Sequence, residues 1–138
     1  MRDLKKKLVF DASVLIELAY ATNLGEKALK LMKQRDIYTT EFAIAETFYI
    51  LCRKLGEEEA KKKVNDLLAS GFIDLLYVSP FEAGRIKCKR AISLADCYAI
   101  ALAEKVKGCA VFAKKEEEMM KEIERKEFPI PIVFLEDL

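Results

Sequence analysis

The sequence contains no histidine and no tryptophan among its 138 residues. Without an imidazole the chain cannot use a histidine general base or a Ser-His-Asp triad, and a zinc ion would be left with cysteine and carboxylate ligands. An excess of one charge is also lacking, because 24 Lys and Arg residues nearly balance 23 Asp and Glu residues. The overall charge therefore predicts neither nucleic-acid nor membrane binding, and a functional site has to be found locally.

Cysteine is present, but not in a pattern typical of metal or disulfide sites. The four cysteines, Cys52, Cys88, Cys97 and Cys109, include no Cys-x-x-Cys pair, and three lie in apolar runs. We interpret them as small core residues in a reducing compartment. No apolar run reaches the roughly 18 residues of a membrane span, and the N-terminus lacks an apolar stretch of signal length. We expect a soluble, cytoplasmic protein with no membrane partner.

What the sequence does have is an alternation of short apolar runs with helical periodicity. Strands are predicted at 7–10, 72–78, 109–112 and 131–135. Helical patterns are predicted at 14–19, 28–32, 40–54, 57–70, 79–90, 93–105 and 114–126. This order predicts a single α/β domain over residues 1–138, built as a three-layer α/β/α sandwich around a mainly parallel sheet.

Asp11 comes directly after the first predicted strand. In a parallel sheet the carboxyl ends of the strands form the crevice where ligands bind, so this position favours a functional carboxylate. A helix N-cap is the structural alternative, with Asp11 or Ser13 accepting hydrogen bonds from the first amides of the next helix. Local sequence alone leaves both interpretations open.

Glu46 and Asp96 each lie in a helical, mainly apolar segment. No Lys or Arg stands three or four residues from either carboxylate. Asp is also disfavoured inside a helix, and a buried carboxylate without a partner costs several kcal/mol, so a cation or a proton is needed. A solvated face for Glu46 and a backbone hydrogen bond for Asp96 remain the alternatives.

Three acids in one crevice require a cation. Oxygen-only ligands favour Mg²⁺ or Mn²⁺, and such a site suits the hydrolysis of phosphodiesters. Basic residues close in sequence to this site could hold the phosphates of a substrate. An ordinary charged surface would contain the same residues, so this alternative remains open. These residues are Arg85, Lys87, Lys89, Arg90, Lys114 and Lys115.

Three segments resemble the successive acidic motifs of the PIN-domain ribonucleases, especially the small VapC-type toxins of toxin–antitoxin pairs. They are "VFDASVLIEL" (9–18), "FAIAETFYIL" (42–51) and "ISLADCYAIALAEK" (92–105), the last followed by "CAVFA" (109–113). The resemblance covers essentially the whole chain in length, motif order and alternation of strands and helices. It implies a PIN-like fold, an RNA substrate, a homodimer and a cognate antitoxin protein.

For the site, the resemblance implies a metal-dependent endoribonuclease in which Asp11, Glu46 and Asp96 hold Mg²⁺ or Mn²⁺ and Ser13 supports the first carboxylate. One departure concerns the family's fourth acid, whose place is taken by Lys114 and Lys115. Either of the next two residues, Glu116 and Glu117, could replace that acid, or a single ion could be bound, or both could be exposed members of the charged helix.

Other functions are also consistent with parts of the sequence. A non-catalytic PIN fold that binds RNA or protein would explain the altered fourth motif, and a housekeeping RNA-processing nuclease would share the same site. A phosphorylation receiver is disfavoured because it would require paired acids at the end of the first strand. An aspartyl phosphatase is disfavoured because it would require Asp-x-Asp there, and "DAS" has Ser13 in place of the second Asp.

Overall fold

A computed structural model describes residues 4–138 and places five strands in one parallel sheet. The strands are β1 (Lys7–Phe10), β2 (Asp36–Thr39), β3 (Ile73–Leu75), β4 (Cys109–Phe112) and β5 (Ile132–Phe134). Their order across the sheet is β3-β2-β1-β4-β5, and every neighbouring pair is parallel. The predicted α/β architecture with a parallel sheet is confirmed.

Helices cover both faces of the sheet. They are α1 (Ala12–Ala19), α2 (Asn23–Gln34), α3 (Glu41–Leu55), α4 (Glu57–Ala69), α5 (Pro80–Lys89), α6 (Leu94–Val106) and α7 (Glu117–Arg125), followed by a 3-10 turn (Leu135–Asp137). Alternate residues of a strand point to opposite faces, so Leu8 and Phe10 pack into one core with α1 and α2 while Val9 packs into a second core with α6. Both faces of β1 are buried, which is why its sequence is a continuous apolar run.

The sheet differs from the prediction at two strands. The strand expected at 72–78 is limited to β3, and Tyr77 beyond it is 63% exposed. β2 was not predicted, because its four residues, DIYT, begin with an Asp and end with a Thr and so do not form an apolar run. Thr39 is nevertheless fully buried, since its hydroxyl donates a hydrogen bond of 2.8 Å to the Phe10 carbonyl.

The cysteines are free thiols within residues 4–138, and Cys97 and Cys109 are buried as expected for core residues. Cys52 is half-buried, whereas Cys88 is exposed. No helix in the described part of the chain is long and apolar enough to cross a membrane.

Candidate active site

Asp11 lies at the carboxyl end of β1 and is also the N-cap of α1. Its Oδ2 atom accepts a hydrogen bond from the Ser13 backbone N–H at 3.0 Å, and only 6% of the residue is exposed. The two interpretations of Asp11 are therefore compatible, because capping α1 holds the carboxylate at the strand ends. Burial raises the pKa of Asp11, while hydrogen bonds from Ser13 and Ala12 oppose the rise.

Ser13 connects the beginning of α1 to the neighbouring strand. Its hydroxyl accepts a hydrogen bond from the Ala113 backbone N–H, directly after β4, at 3.0 Å. The Asp11 backbone N–H donates to the Val111 carbonyl in β4 at 3.1 Å. These bonds fix the ends of β1 and β4 relative to each other, so that residues following both strands face the same space.

Asp96 is the third residue of α6, in the first turn of the helix that the sequence predicts over 93–105. Ser93 is the N-cap, and its Oγ accepts a hydrogen bond from the Asp96 N–H at 3.1 Å. The first turn is the favourable end of a helix for an anion, yet the pKa of Asp96 is raised to about 7. Burial is the main cause, and the negative charges of Asp11, Glu116 and Glu46 add to it.

Glu46 projects from α3 and is half-buried. Within residues 4–138 no Lys or Arg forms a salt bridge with it, as the spacing of basic residues predicted. Burial raises the pKa of Glu46, and the charge of Asp11 raises it further. The negative charge of Asp11, at the end of β1, therefore acts on Glu46 in α3, although the two residues belong to separate elements.

The region after β4 contributes further acids. Glu116, at the N-cap position of α7, lines the same crevice as Asp11, Glu46 and Asp96, and Glu118 lines it as well. Sequence reasoning did not single out Glu118, because a run of three glutamates gives no sign of which members face inward.

Glu117 turns to the opposite side of α7. It forms a salt bridge of 3.0 Å with Lys121, and both side chains are more than 70% exposed. Of the two residues proposed as replacements for the fourth acid, the structure therefore brings only Glu116 to the crevice.

The crevice has a volume of about 300 Å³ and collects five carboxylates and one ammonium group. The ammonium belongs to Lys114, and Ser13 and Ser93 also line the walls. Burial raises the pKa of Asp11, Glu46 and Asp96, and the negative charge of a neighbouring acid adds to the rise in each case, so bound positive charge would stabilise the crevice.

The donors of the crevice suit a hard divalent cation. Within the described residues, no three His, Cys, Asp or Glu side chains are close enough together to hold a metal ion directly. Mg²⁺ does not require such a group, since it retains several waters and binds through one or two carboxylates. The oxygen-only set of Asp11, Glu46, Asp96 and Glu116 therefore fits Mg²⁺ or Mn²⁺ by its chemistry.

Most of the predicted phosphate-binding residues have partners elsewhere. Lys87 Nζ donates to the Ile92 carbonyl at 2.7 Å and thus holds the loop before α6. Lys115 forms a salt bridge of 2.7 Å with Asp137. Lys89 is exposed but borders a different groove. The structure brings none of these three to the crevice.

Arg90 is part of the protein interior. Its side chain is 9% exposed, pairs with Glu122 at 3.4 Å and lies 3.9 Å from the centroid of the Phe128 ring. It also donates to the carbonyls of Lys126 and Glu127, so α5 is joined to the end of α7. Among the predicted basic residues, Lys114 is the one that lines the crevice.

Acids from the end of β1, from α3, from α6 and from the start of α7 thus meet at the carboxyl ends of the parallel strands, where α/β domains bind their ligands. The PIN-domain family profile matches residues 8–126, and the chain belongs to the PIN-domain family. The predicted family is thus confirmed. No curated protein sequence matches the chain.

Several solved structures share this fold at low sequence identity. DNA-bound VapBC from Salmonella typhimurium has a TM-score of 0.70 at 15% identity, covering 95% of this chain and 99% of that one. VapBC2 from Rickettsia felis, bound to a fragment of its promoter, has a TM-score of 0.69 at 16% identity, covering 92% and 96%. VapC20 from Mycobacterium tuberculosis, described as a toxin that cleaves the sarcin-ricin loop, has a TM-score of 0.64 at 16% identity, covering 83% and 94%.

Proposed function

We propose that this chain is an Mg²⁺- or Mn²⁺-dependent endoribonuclease that hydrolyses phosphodiester bonds of RNA. The convergence of Asp11, Glu46, Asp96 and Glu116 from four separate elements on one crevice carries the proposal. The raised pKa values of the first three acids support it, because mutual repulsion of this kind is relieved by a divalent cation. Membership of the PIN-domain family supports the same conclusion.

Each residue of the crevice has a distinct role in this proposal. Asp11, Glu46, Asp96 and Glu116 would hold the divalent ion, which when bound supplies Lewis-acid polarisation of the phosphate and activation of water. Ser13 positions Asp11 through its backbone N–H and ties it to the end of β4 through its hydroxyl.

Lys114 faces the crevice without a salt bridge among residues 4–138. Its ammonium group would bind a non-bridging phosphate oxygen of the RNA and offset part of the negative charge of the acids. The other basic residues predicted from the sequence would contribute less, because Lys87, Arg90 and Lys115 already bind protein groups.

The activity is tested by cleavage of a single-stranded RNA with Mn²⁺ present. Asp96→Asn is expected to lower the rate at least about a hundredfold, because one ligand of the ion is lost and metal assistance is worth several kcal/mol. Asp66→Asn is the matched control, since Asp66 is an exposed carboxylate on α4 paired with Lys62. Equal cleavage rates for Asp96→Asn and the parent protein would show that Asp96 is not catalytic, whereas a parent that does not cleave RNA with Mn²⁺ would favour the non-catalytic alternative.

We also propose that the chain is the toxin of a toxin–antitoxin pair, acts in the cytoplasm and forms a homodimer. The fold shared with the VapBC complexes supports the presence of an antitoxin partner. A small neighbouring reading frame whose product co-purifies with this chain and suppresses RNA cleavage is the expected finding. Absence of such a gene would favour the housekeeping RNA-processing nuclease. Sedimentation of the purified chain tests the dimer.

A further inference from the structure

Two tyrosines with basic partners lie on the helices that border the crevice. On α3, the Arg53 guanidinium carbon lies 4.9 Å from the centroid of the Tyr49 ring, and Tyr49 is 44% exposed. At the end of α1, Lys54 Nζ lies 5.9 Å from the centroid of the Tyr20 ring, which is 36% exposed. Two exposed pairs of a cation and an aromatic ring therefore lie near the last turns of α3.

The Tyr49 pair is directly connected to the acidic site by helix geometry. Glu46 and Ile50 line the crevice, and Tyr49 lies between them in sequence. Residues three and four apart are neighbours on a helix surface, so Glu46, Tyr49 and Arg53 form one continuous ridge. Three residues correspond to about 4.5 Å along the helix axis. Tyr49 therefore lies beside Glu46 on the surface of α3, just outside the residues that line the crevice.

The Tyr49 pair differs from the buried cation–aromatic pair in the described residues. The third cation–aromatic pair of the described residues, Arg90 on Phe128, is buried and tied by Glu122 and backbone carbonyls, as a packing interaction is expected to be. Arg53 and Lys54 are exposed and form no salt bridge within residues 4–138. Their positive charges are therefore available to bind phosphates next to a crevice whose acids repel phosphates.

We propose that Tyr49 stacks on a base of single-stranded RNA next to the bond that is cleaved, and that Arg53 binds an adjoining phosphate. This inference rests on the proposed endoribonuclease function. Unpaired RNA bases stack on tyrosine rings and arginine planes, and this mode of binding tolerates different bases. The Arg53 guanidinium lies over the Tyr49 ring, so the two groups are close enough to contact neighbouring parts of one strand. Tyr49 is thus a binding residue that orients the strand across the acids.

The test measures binding separately from cleavage. Fluorescence anisotropy of a labelled 12-nucleotide single-stranded RNA is recorded with the Asp96→Asn protein and Mg²⁺, so that the probe stays intact. Adding Tyr49→Ala is expected to raise Kd at least about fivefold, whereas Tyr49→Phe retains the affinity. Tyr77→Ala is the matched control, because Tyr77 is an exposed tyrosine that lines a different groove. Tyr49→Leu keeps apolar bulk without a ring and is expected to behave like Tyr49→Ala.

Two further measurements identify the contact. Replacing one nucleotide of the probe by an abasic site should weaken binding to the Tyr49 protein but not to Tyr49→Ala. Arg53→Gln should reduce the slope of log Kd against log salt by about 0.7, the value for one phosphate contact with a single strand.

The inference is overturned if Tyr49→Ala and Tyr77→Ala bind RNA equally. It is also overturned if Tyr49→Ala changes the sedimentation of the protein and not its RNA affinity, since this face would then contact protein. A parent that cleaves RNA and shows no effect of Tyr49 rejects this inference alone, whereas a parent that neither binds nor cleaves RNA rejects the proposed function as well.

Discussion

At the residue scale, the raised pKa of Asp96 is expected to make metal binding by the crevice depend on pH. Its pKa of about 7 means that much of the carboxyl group is protonated at pH 6, and protons compete with a divalent ion for the same oxygens. The Mn²⁺ concentration needed for a half-maximal rise in Tm is therefore expected to be about tenfold higher at pH 6 than at pH 8. A thermal-shift titration at the two pH values checks this, and a requirement that is independent of pH would show that Asp96 is not a ligand.

The structure also separates residues that the sequence could not distinguish. Glu116 and Glu117 are adjacent, yet one lines the crevice and the other pairs with Lys121. Local sequence contains no information on this difference, because it depends on where α7 begins and how that helix packs. Asp11 was predictable, since a strand end and a helix N-cap are both local features.

At the scale of elements, the N-cap of α6 supports the site. Ser93→Ala leaves the Asp96 N–H without its partner and is expected to cost about 1 kcal/mol of unfolding free energy and to weaken Mn²⁺ binding. Ser79→Ala is the matched control, because Ser79 is the N-cap of α5 and its hydroxyl accepts a hydrogen bond from the Phe81 N–H at 3.3 Å. Urea unfolding and Mn²⁺ titration of both variants separate the two effects. Equal loss of Mn²⁺ affinity in both variants would contradict a specific role for Ser93.

A second structural connection joins α5 to α7 through Glu122. Hydrogen bonds and charge from Arg125 and Arg90 lower the pKa of Glu122 to about 2, and its side chain is 5% exposed. Because the pKa is lower in the folded state than the ordinary 4.5, the stabilisation is present above about pH 4.5 and is lost as the pH falls toward 2. Glu122→Gln should therefore lower Tm at pH 7 and flatten its decline below pH 4.5.

The matched control for Glu122→Gln is Glu124→Gln, an exposed position on the same helix. An acid-induced decline in Tm that is the same in the Glu122→Gln variant and in the parent protein would show that Glu122 does not contribute.

Sequence periodicity predicted the elements that bury a regular face and missed those defined by tertiary contacts. β1 and β4 are continuous apolar runs because both faces of each strand are buried. β2 was not predicted because the burial of Thr39 depends on a distant contact. Its hydroxyl donates a hydrogen bond to the carbonyl of Phe10, 29 residues earlier in the chain. Arg90 was interpreted as a surface cation, since its partner Glu122 lies 32 residues further along the chain.

At the scale of the whole molecule, positive and negative charges nearly balance in number but are unevenly distributed over the structure. The formal net charge is +1, yet five carboxylates line one crevice with a single lysine. The proposed RNA substrate is a polyanion, so the acids could face it only with bound cations and with basic residues such as Lys114 in the crevice and Arg53 on the same helix as Glu46. A divalent ion bound by the crevice is thus the central claim of this account.

Calorimetric titration of the purified chain with Mn²⁺ tests that claim most directly. The parent protein and Glu117→Gln are expected to bind Mn²⁺, whereas Asp11→Asn and Glu116→Gln lose at least about tenfold in affinity because a ligand of the ion is removed. Absence of binding by the parent at millimolar Mn²⁺ and pH 8, or equal affinity in all four proteins, would contradict the account.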